Sequence, residues 1–100
     1  MDFKHIAESV VTLHNLKNHY YGNAFGKSFK KYEAIQPGYG LKYAVGRMGD
    51  KMERITNLAF KDMENRENLD ESIRDTLVDL AAYAIMTIEA MDNNAESGLS

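Results

Sequence analysis

The sequence predicts an all-α fold, a small bundle of three to four helices completed by oligomerisation, and three observations predict it. Apolar residues recur at three- and four-residue steps over most of the chain, the period of one helix face. The composition combines ten alanines and six methionines with only four valines and one proline, which favours helices over strands. At 100 residues and 11.3 kDa there is room for one domain and for a modest core only. Residues 1–92 read as a single helical domain and 93–100 as a flexible tail.

The first helix is expected over about residues 2–20, where Phe3, Ile6, Ala7, Val10, Leu13, Leu16 and Tyr20 share one stripe. Between Asn18 and Gly40 the stripe breaks up. Four glycines, the single proline and six of the ten aromatics crowd there with Lys27, Lys30 and Lys31. A short helix over 24–34 would align Phe25, Phe29 and Tyr32, and Gln36-Pro37-Gly38 reads as a turn, since proline presets its second position and glycine accepts the positive φ that follows.

The helical period returns over 41–63, with Leu41, Ala44, Val45, Met48, Met52, Ile55, Leu58 or Ala59, and Met63 facing inward. Gly46 and Gly49 cost this helix roughly 1 kcal/mol each relative to alanine unless close packing or a ligand requires bare backbone. After a polar loop over 65–68, Asn68 and Glu71 have the spacing of a capping box that starts a last helix over 69–92. Beyond its stripe of Ile73, Leu77, Leu80, Ala84, Ile88 and Met91, that helix carries Val78, Ala82, Ile85 and Met86 on the opposite side. It is expected to be buried nearly all round, at the centre of the domain or of a homo-oligomer.

Composition excludes several functions. Without cysteine there is no disulfide scaffold, thiolate metal site or cysteine nucleophile, which suits a reducing cytoplasm. A net charge of −3 argues against general nucleic-acid binding. The charged start MDFKHIAES lacks the apolar core of a signal peptide, and the run Leu80–Met86 is far short of the roughly 20 residues of a membrane span. A soluble protein in the cytoplasm, without membrane partners, is expected.

Candidate chemistry concentrates in two regions. Glu71, Asp75 and Asp79 descend one side of the last helix at one-turn spacing. A buried carboxylate must pair with a cation, bind a metal or take up a proton. Arg47, Lys51 and Arg54 on the preceding helix could pair with them and hold the two helices in register. Alternatively, Asp50-x-x-Glu53 could face Glu71, Asp75 and Asp79 across the two helices and form an oxygen cage for Mg2+, which takes carboxylates, water and substrate phosphate. The second region is the turn Gly22-Asn23-Ala24-Phe25-Gly26-Lys27-Ser28. It ends like a P-loop but has three residues between its glycines instead of four and follows a helix, so that motif is rejected. A glycine-rich turn with lysines and aromatics can still cradle a phosphate and stack a base. His5, His14 and His19 match no metal-ligand spacing.

Residues 17–91 carry three motifs in order: Tyr21-Gly22-Asn23-Ala24-Phe25, then Arg47-Met48-Gly49-Asp50-Lys51-Met52-Glu53-Arg54, and Glu71-Ser72-Ile73-Arg74-Asp75-Thr76-Leu77-Val78-Asp79-Leu80-Ala81-Ala82-Tyr83. Through these the chain resembles the small phage and bacterial family called nucleotide modification associated domain 1. Tyr20 stands where the family usually has aspartate. The acidic helices are distantly similar to the all-helical MazG-like nucleoside triphosphate pyrophosphatases, which hold magnesium with Glu-x-x-Glu and Glu-x-x-Asp. Here the second spacing is one residue longer, Glu71-x-x-x-Asp75.

Three functions follow as expectations. The first is a sponge-like protein that captures a nucleotide or nucleotide-derived signal, with Tyr21, Gly22, Asn23, Phe25, Lys27 and Lys30 stacking and clamping it and Arg47, Lys51 and Arg54 meeting phosphate. The second is a magnesium-dependent pyrophosphohydrolase using Asp50, Glu53, Glu71, Asp75 and Asp79. The third is a structural or host-interaction adaptor whose aspartates pair with arginines. Basic residues sharing helix faces with the acids favour the first and the third over the second.

Overall fold

Four α-helices follow one another: α1 (Phe3–Tyr21), α2 (Ala24–Ile35), α3 (Tyr39–Ala59) and α4 (Arg66–Gly98). The computed structural model describes residues 2–21, 23–61 and 66–98, and among the described residues there is no strand. None of these helices is long and apolar enough to cross a membrane. The 33 residues of α4 span about 50 Å at 1.5 Å per residue, nearly the length of the 54 × 26 × 24 Å molecule. The other helices dress this rod. α3 runs antiparallel along it, as three side-chain contacts in descending register show: Arg47 to Tyr83, Lys51 to Asp79 and Arg54 to Thr76.

The core lies where α2, α3 and α4 meet. Phe25, Phe29 and Ala44 are buried at 8%, 4% and 0% exposure, and Tyr43, Met48, Tyr83, Met86 and Ala90 pack around them. Gly40 lets α2 and α3 come this close. A β-carbon there would stand 2.7 Å from the Phe29 ring, inside van der Waals contact, so the ring occupies the space a side chain would need.

The expected turn between α2 and α3 is present. Tyr39 N–H donates to the Gln36 carbonyl at 3.0 Å, and Gly38 has φ +93°, which favours glycine. From α2, Glu33 Oε1 accepts the N–H groups of Gly38 (2.9 Å) and Gly40 (3.2 Å), so a carboxylate satisfies orphan donors at the positive end of α3. The other oxygen of Glu33 accepts from Asn94 of α4 at 3.3 Å, joining three helices. At the start of α2, Asn23 takes a left-handed conformation with φ 56°, and its side-chain oxygen accepts the Gly26 N–H at 3.3 Å. Asn23→Ala removes this cap and places alanine in a disfavoured conformation. A loss of about 1–2 kcal/mol in urea unfolding is expected, and an unchanged midpoint would show that the cap contributes nothing.

Several expectations are corrected. α3 ends at Ala59, and Met63 lies outside the described residues. Its inner face carries Gly40, Ala44, Met48, Lys51, Ile55 and Leu58, whereas Leu41, Val45 and Met52, expected inside, are exposed. The two helical stripes overlap in sequence, and only contact with α2 and α4 selects one. On α1, Val10 is buried and Leu13 half-buried, but Phe3 is 89% exposed and Ile6 and Leu16 are also exposed: Leu16 falls outside the face that Leu13, His14 and Lys17 turn to α4, and Phe3 and Ile6 lie on turns N-terminal to that contact. Asn68 lies within α4, whose described part begins at Arg66, so it does not cap that helix, and the helix continues past Asp92 to Gly98. Nor is α4 buried all round within one chain. Leu77, Ile85, Ile88 and Met91 are exposed because α1, α2 and α3 leave that side uncovered. Among the described residues nothing approaches the open positions of Gly46 or Gly49, so packing among them does not require these glycines.

Candidate functional site

The antiparallel register of α3 and α4 places Arg47, Lys51 and Arg54 at one-turn spacing opposite Tyr83, Asp79 and Thr76. The Asp79 carboxylate, 23% exposed, receives Lys51 Nζ at 3.5 Å from α3 and Lys17 Nζ at 2.7 Å from α1. One acid thereby ties three helices. Lys17 was not anticipated from the sequence, because a separation of 62 positions from Asp79 hides the pairing from any local pattern.

Arg47 Nη2 donates to the Tyr83 hydroxyl at 2.9 Å, and its guanidinium lies 5.5 Å from the Tyr83 ring centre. That hydrogen bond, with the nearby phenols and Asp50, holds Arg47 above its ordinary pKa against a smaller opposing effect of burial. Lys51 sits 5.8 Å from the same ring. Arg54 Nε donates to the buried Thr76 hydroxyl at 3.2 Å, and that hydroxyl donates to the Ser72 carbonyl at 2.8 Å. Of the three α3 cations, therefore, Lys51 alone meets a carboxylate of α4 among these contacts; Arg47 and Arg54 meet hydroxyls.

Lys17, Arg47 and Asp79 open onto a cavity of about 290 Å3 between α1, α2, α3 and α4. Leu13, Ala82 and Met86 give it an apolar wall, and Tyr83 and the edge of Phe25 close it. His14 and Asn18, 3.2 Å apart, offer polar groups at its rim. The lining carries two cations, Lys17 and Arg47, against one carboxylate, Asp79, which Lys51 also contacts, and its apolar wall can receive a flat ring.

The other candidates fall elsewhere. Asn23, Lys27 and Lys30 line a second cavity of about 260 Å3, with Glu89 and Asn93 of α4. Phe25 borders both cavities and keeps the two sets of cations apart. Its ring is packed against Phe29, Tyr43 and Tyr83 at centroid distances of 6.4, 5.7 and 5.5 Å, which makes it a wall and not a free stacking surface. Gly22 and the Tyr21 side chain lie outside the described residues. Asp50 and Glu53 border a shallow surface with Arg54, Asn57 and Leu58, and Glu71 and Asp75 are exposed on α4. Among the described residues no three carboxylate or imidazole groups converge closely enough to hold a metal ion, so Asp50, Glu53, Glu71, Asp75 and Asp79 do not form one cage.

No curated protein and no solved structure matches the chain. A family model described as nucleotide modification associated domain 1 matches residues 17–91, a span holding the whole of α2 and α3, Lys17 of α1 and the part of α4 that bears Asp79 and Tyr83. On that match, the chain belongs to the nucleotide modification associated domain 1 family.

Proposed function

We propose that the protein is a binding module for a nucleotide or nucleotide-derived small molecule, held in the cleft that Lys17, Arg47 and Asp79 share. The observation that supports this reading is the pair of cations lining the cleft, Lys17 and Arg47, with Asp79 already paired by Lys17 and Lys51 and Arg47 held by Tyr83. A phosphate entering the cleft meets charge-assisted donors already positioned, with Asp79 orienting the two lysines until the ligand takes its share. Lys17 is about half exposed and can turn to the ligand without unfolding its helix. The apolar wall of Leu13, Ala82 and Met86 covers one face of a base, and His14 and Asn18 supply hydrogen bonds at its edge. A volume of about 290 Å3 suits one small nucleotide better than a polymer.

Thermal unfolding against mono-, tri- and cyclic nucleotides, each with and without magnesium, tests the reading. A true ligand at one hundred times its Kd adds about 2.7 kcal/mol, which raises the Tm of a chain this size by roughly 10 °C. No shift across the panel would refute it. The hydrolase remains a distinct outcome of the same panel. Release of pyrophosphate only with magnesium would favour it, although a metal at Asp79 would first have to displace Lys17 and Lys51.

A further inference from the structure

The α3/α4 pair has two sides. Successive residues advance about 100° around a helix, and antiparallel neighbours wind in opposite senses when viewed down one axis. Residues that follow the contact line on each helix therefore fall on the same side of the pair. Tyr43 and Ala82 precede the contact residues Ala44 and Tyr83, and α2 and α1 sit on their side. Val45 and Ala84 follow them, and on that side there is no helix among the described residues.

This bare side is apolar along most of its length. α3 contributes Leu41, Val45 and Met52, and α4 contributes Leu77, Ile85, Ile88 and Met91, with Val45 57% and Ile88 60% exposed. Between Asp75 and Glu89 the single charge on α4 is Asp79, which is turned toward α1 and α3. The seven side chains together expose on the order of 700 Å2, more than the ~300–600 Å2 of the largest patch on a typical monomer and close to the ~800 Å2 that each partner buries in a stable dimer.

The pattern on α4 also indicates what covers it. Leu77, Ala81, Ala84 and Ile88 follow one another at steps of four, three and four, the repeat of a coiled-coil seam, and all four are exposed. The row reads large, small, small, large in either direction. An interface with two-fold symmetry must be complementary to itself, and an antiparallel pair of helices reads one sequence against its reverse. Reversal places Leu77 against Ile88 and Ala81 against Ala84, so the alanines let the two helices approach at the centre while the larger side chains interlock on either side.

We infer that this face binds a second copy of the same chain, with the two α4 helices crossing antiparallel at Ala81 and Ala84 and the two α3/α4 pairs forming a four-helix layer. The site lined by Lys17 and Arg47 lies on the other side of each pair and stays open, so dimerisation and ligand binding stand or fall separately.

Sedimentation equilibrium at micromolar concentration reads the assembly directly. The expected mass is twice 11.3 kDa or an even multiple of it. Ile88→Glu should at least halve it with the helical circular dichroism retained, while Val11→Glu, on the exposed side of α1, should leave it unchanged. Should Ile88→Glu fail to fold, a covalent probe remains. The chain has no cysteine, so Ala81→Cys and Ala84→Cys chains mixed together should cross-link to a disulfide dimer on mild oxidation, and Ala34→Cys on α2 should not. A single-chain mass for the unmodified protein would overturn the inference. So would an assembly that a folded Ile88→Glu variant leaves intact, or the absence of a cross-link between Ala81→Cys and Ala84→Cys chains.

Discussion

Phe29→Ala is expected to cost about 3–5 kcal/mol, the range for emptying a buried aromatic site, and to leave the protein largely unfolded at 37 °C. Phe29 is 4% exposed and its ring lies against Gly40, which has no side chain to fill the space the ring would leave. The cavity therefore has little means of collapsing. The rest of the core offers little compensation, since Val10, Phe25 and Ala44 are the other apolar residues buried to this degree among those described. A small domain with a total stability near the lower end of ~5–15 kcal/mol cannot absorb that loss. Urea unfolding followed by circular dichroism measures it, and a loss below about 1 kcal/mol would mean that the ring is not part of the core.

Arg47→Ala is expected to weaken nucleotide binding by roughly ten- to a hundredfold, because a hydrogen bond from a charged donor to phosphate contributes about 1.5–3 kcal/mol. Titration calorimetry with the nucleotide that gives the largest Tm shift is the measurement. Lys17→Ala should lower affinity in the same direction. Lys27→Ala, in the cavity on the other side of Phe25, should leave it unchanged. Arg47→Lys keeps a charge but loses the planar fork that holds Tyr83, so its affinity should fall between those of the parent protein and Arg47→Ala. If Lys27→Ala abolishes binding while Arg47→Ala does not, the ligand occupies the second cavity and the assignment fails.

Local patterns decided much of the fold. The three- and four-residue spacing located all four helices, and Gln36-Pro37-Gly38 located the turn, because each depends on interactions within a few residues. The facing of α3 was not legible in the same way. Leu41, Val45 and Met52 form as regular a stripe as Gly40, Ala44 and Met48, and burial at 0% exposure for Ala44 reflects partners that lie elsewhere in the chain. The helix that begins at Arg66 likewise continues beyond Asp92, where Asn94 reaches back to Glu33 across 61 residues.

The candidate site divides along the same line. Arg47, Lys51, Arg54 and Asp79 could be singled out because charge on an apolar helix face demands a partner wherever it folds. Their actual partners could not: Lys17 and Tyr83 enter through contacts 62 and 36 residues apart. What the sequence by itself determined is the set of helices, the all-α class and the presence of cations and acids at one-turn spacing, since these depend on helical period and residue type. The tertiary structure decided which stripe of each helix is inside, that Phe25 separates two groups of cations, and that Asp79 meets two lysines. These are matters of side-chain placement between distant segments, where a rotation of one helix by a single residue exchanges one set of neighbours for another.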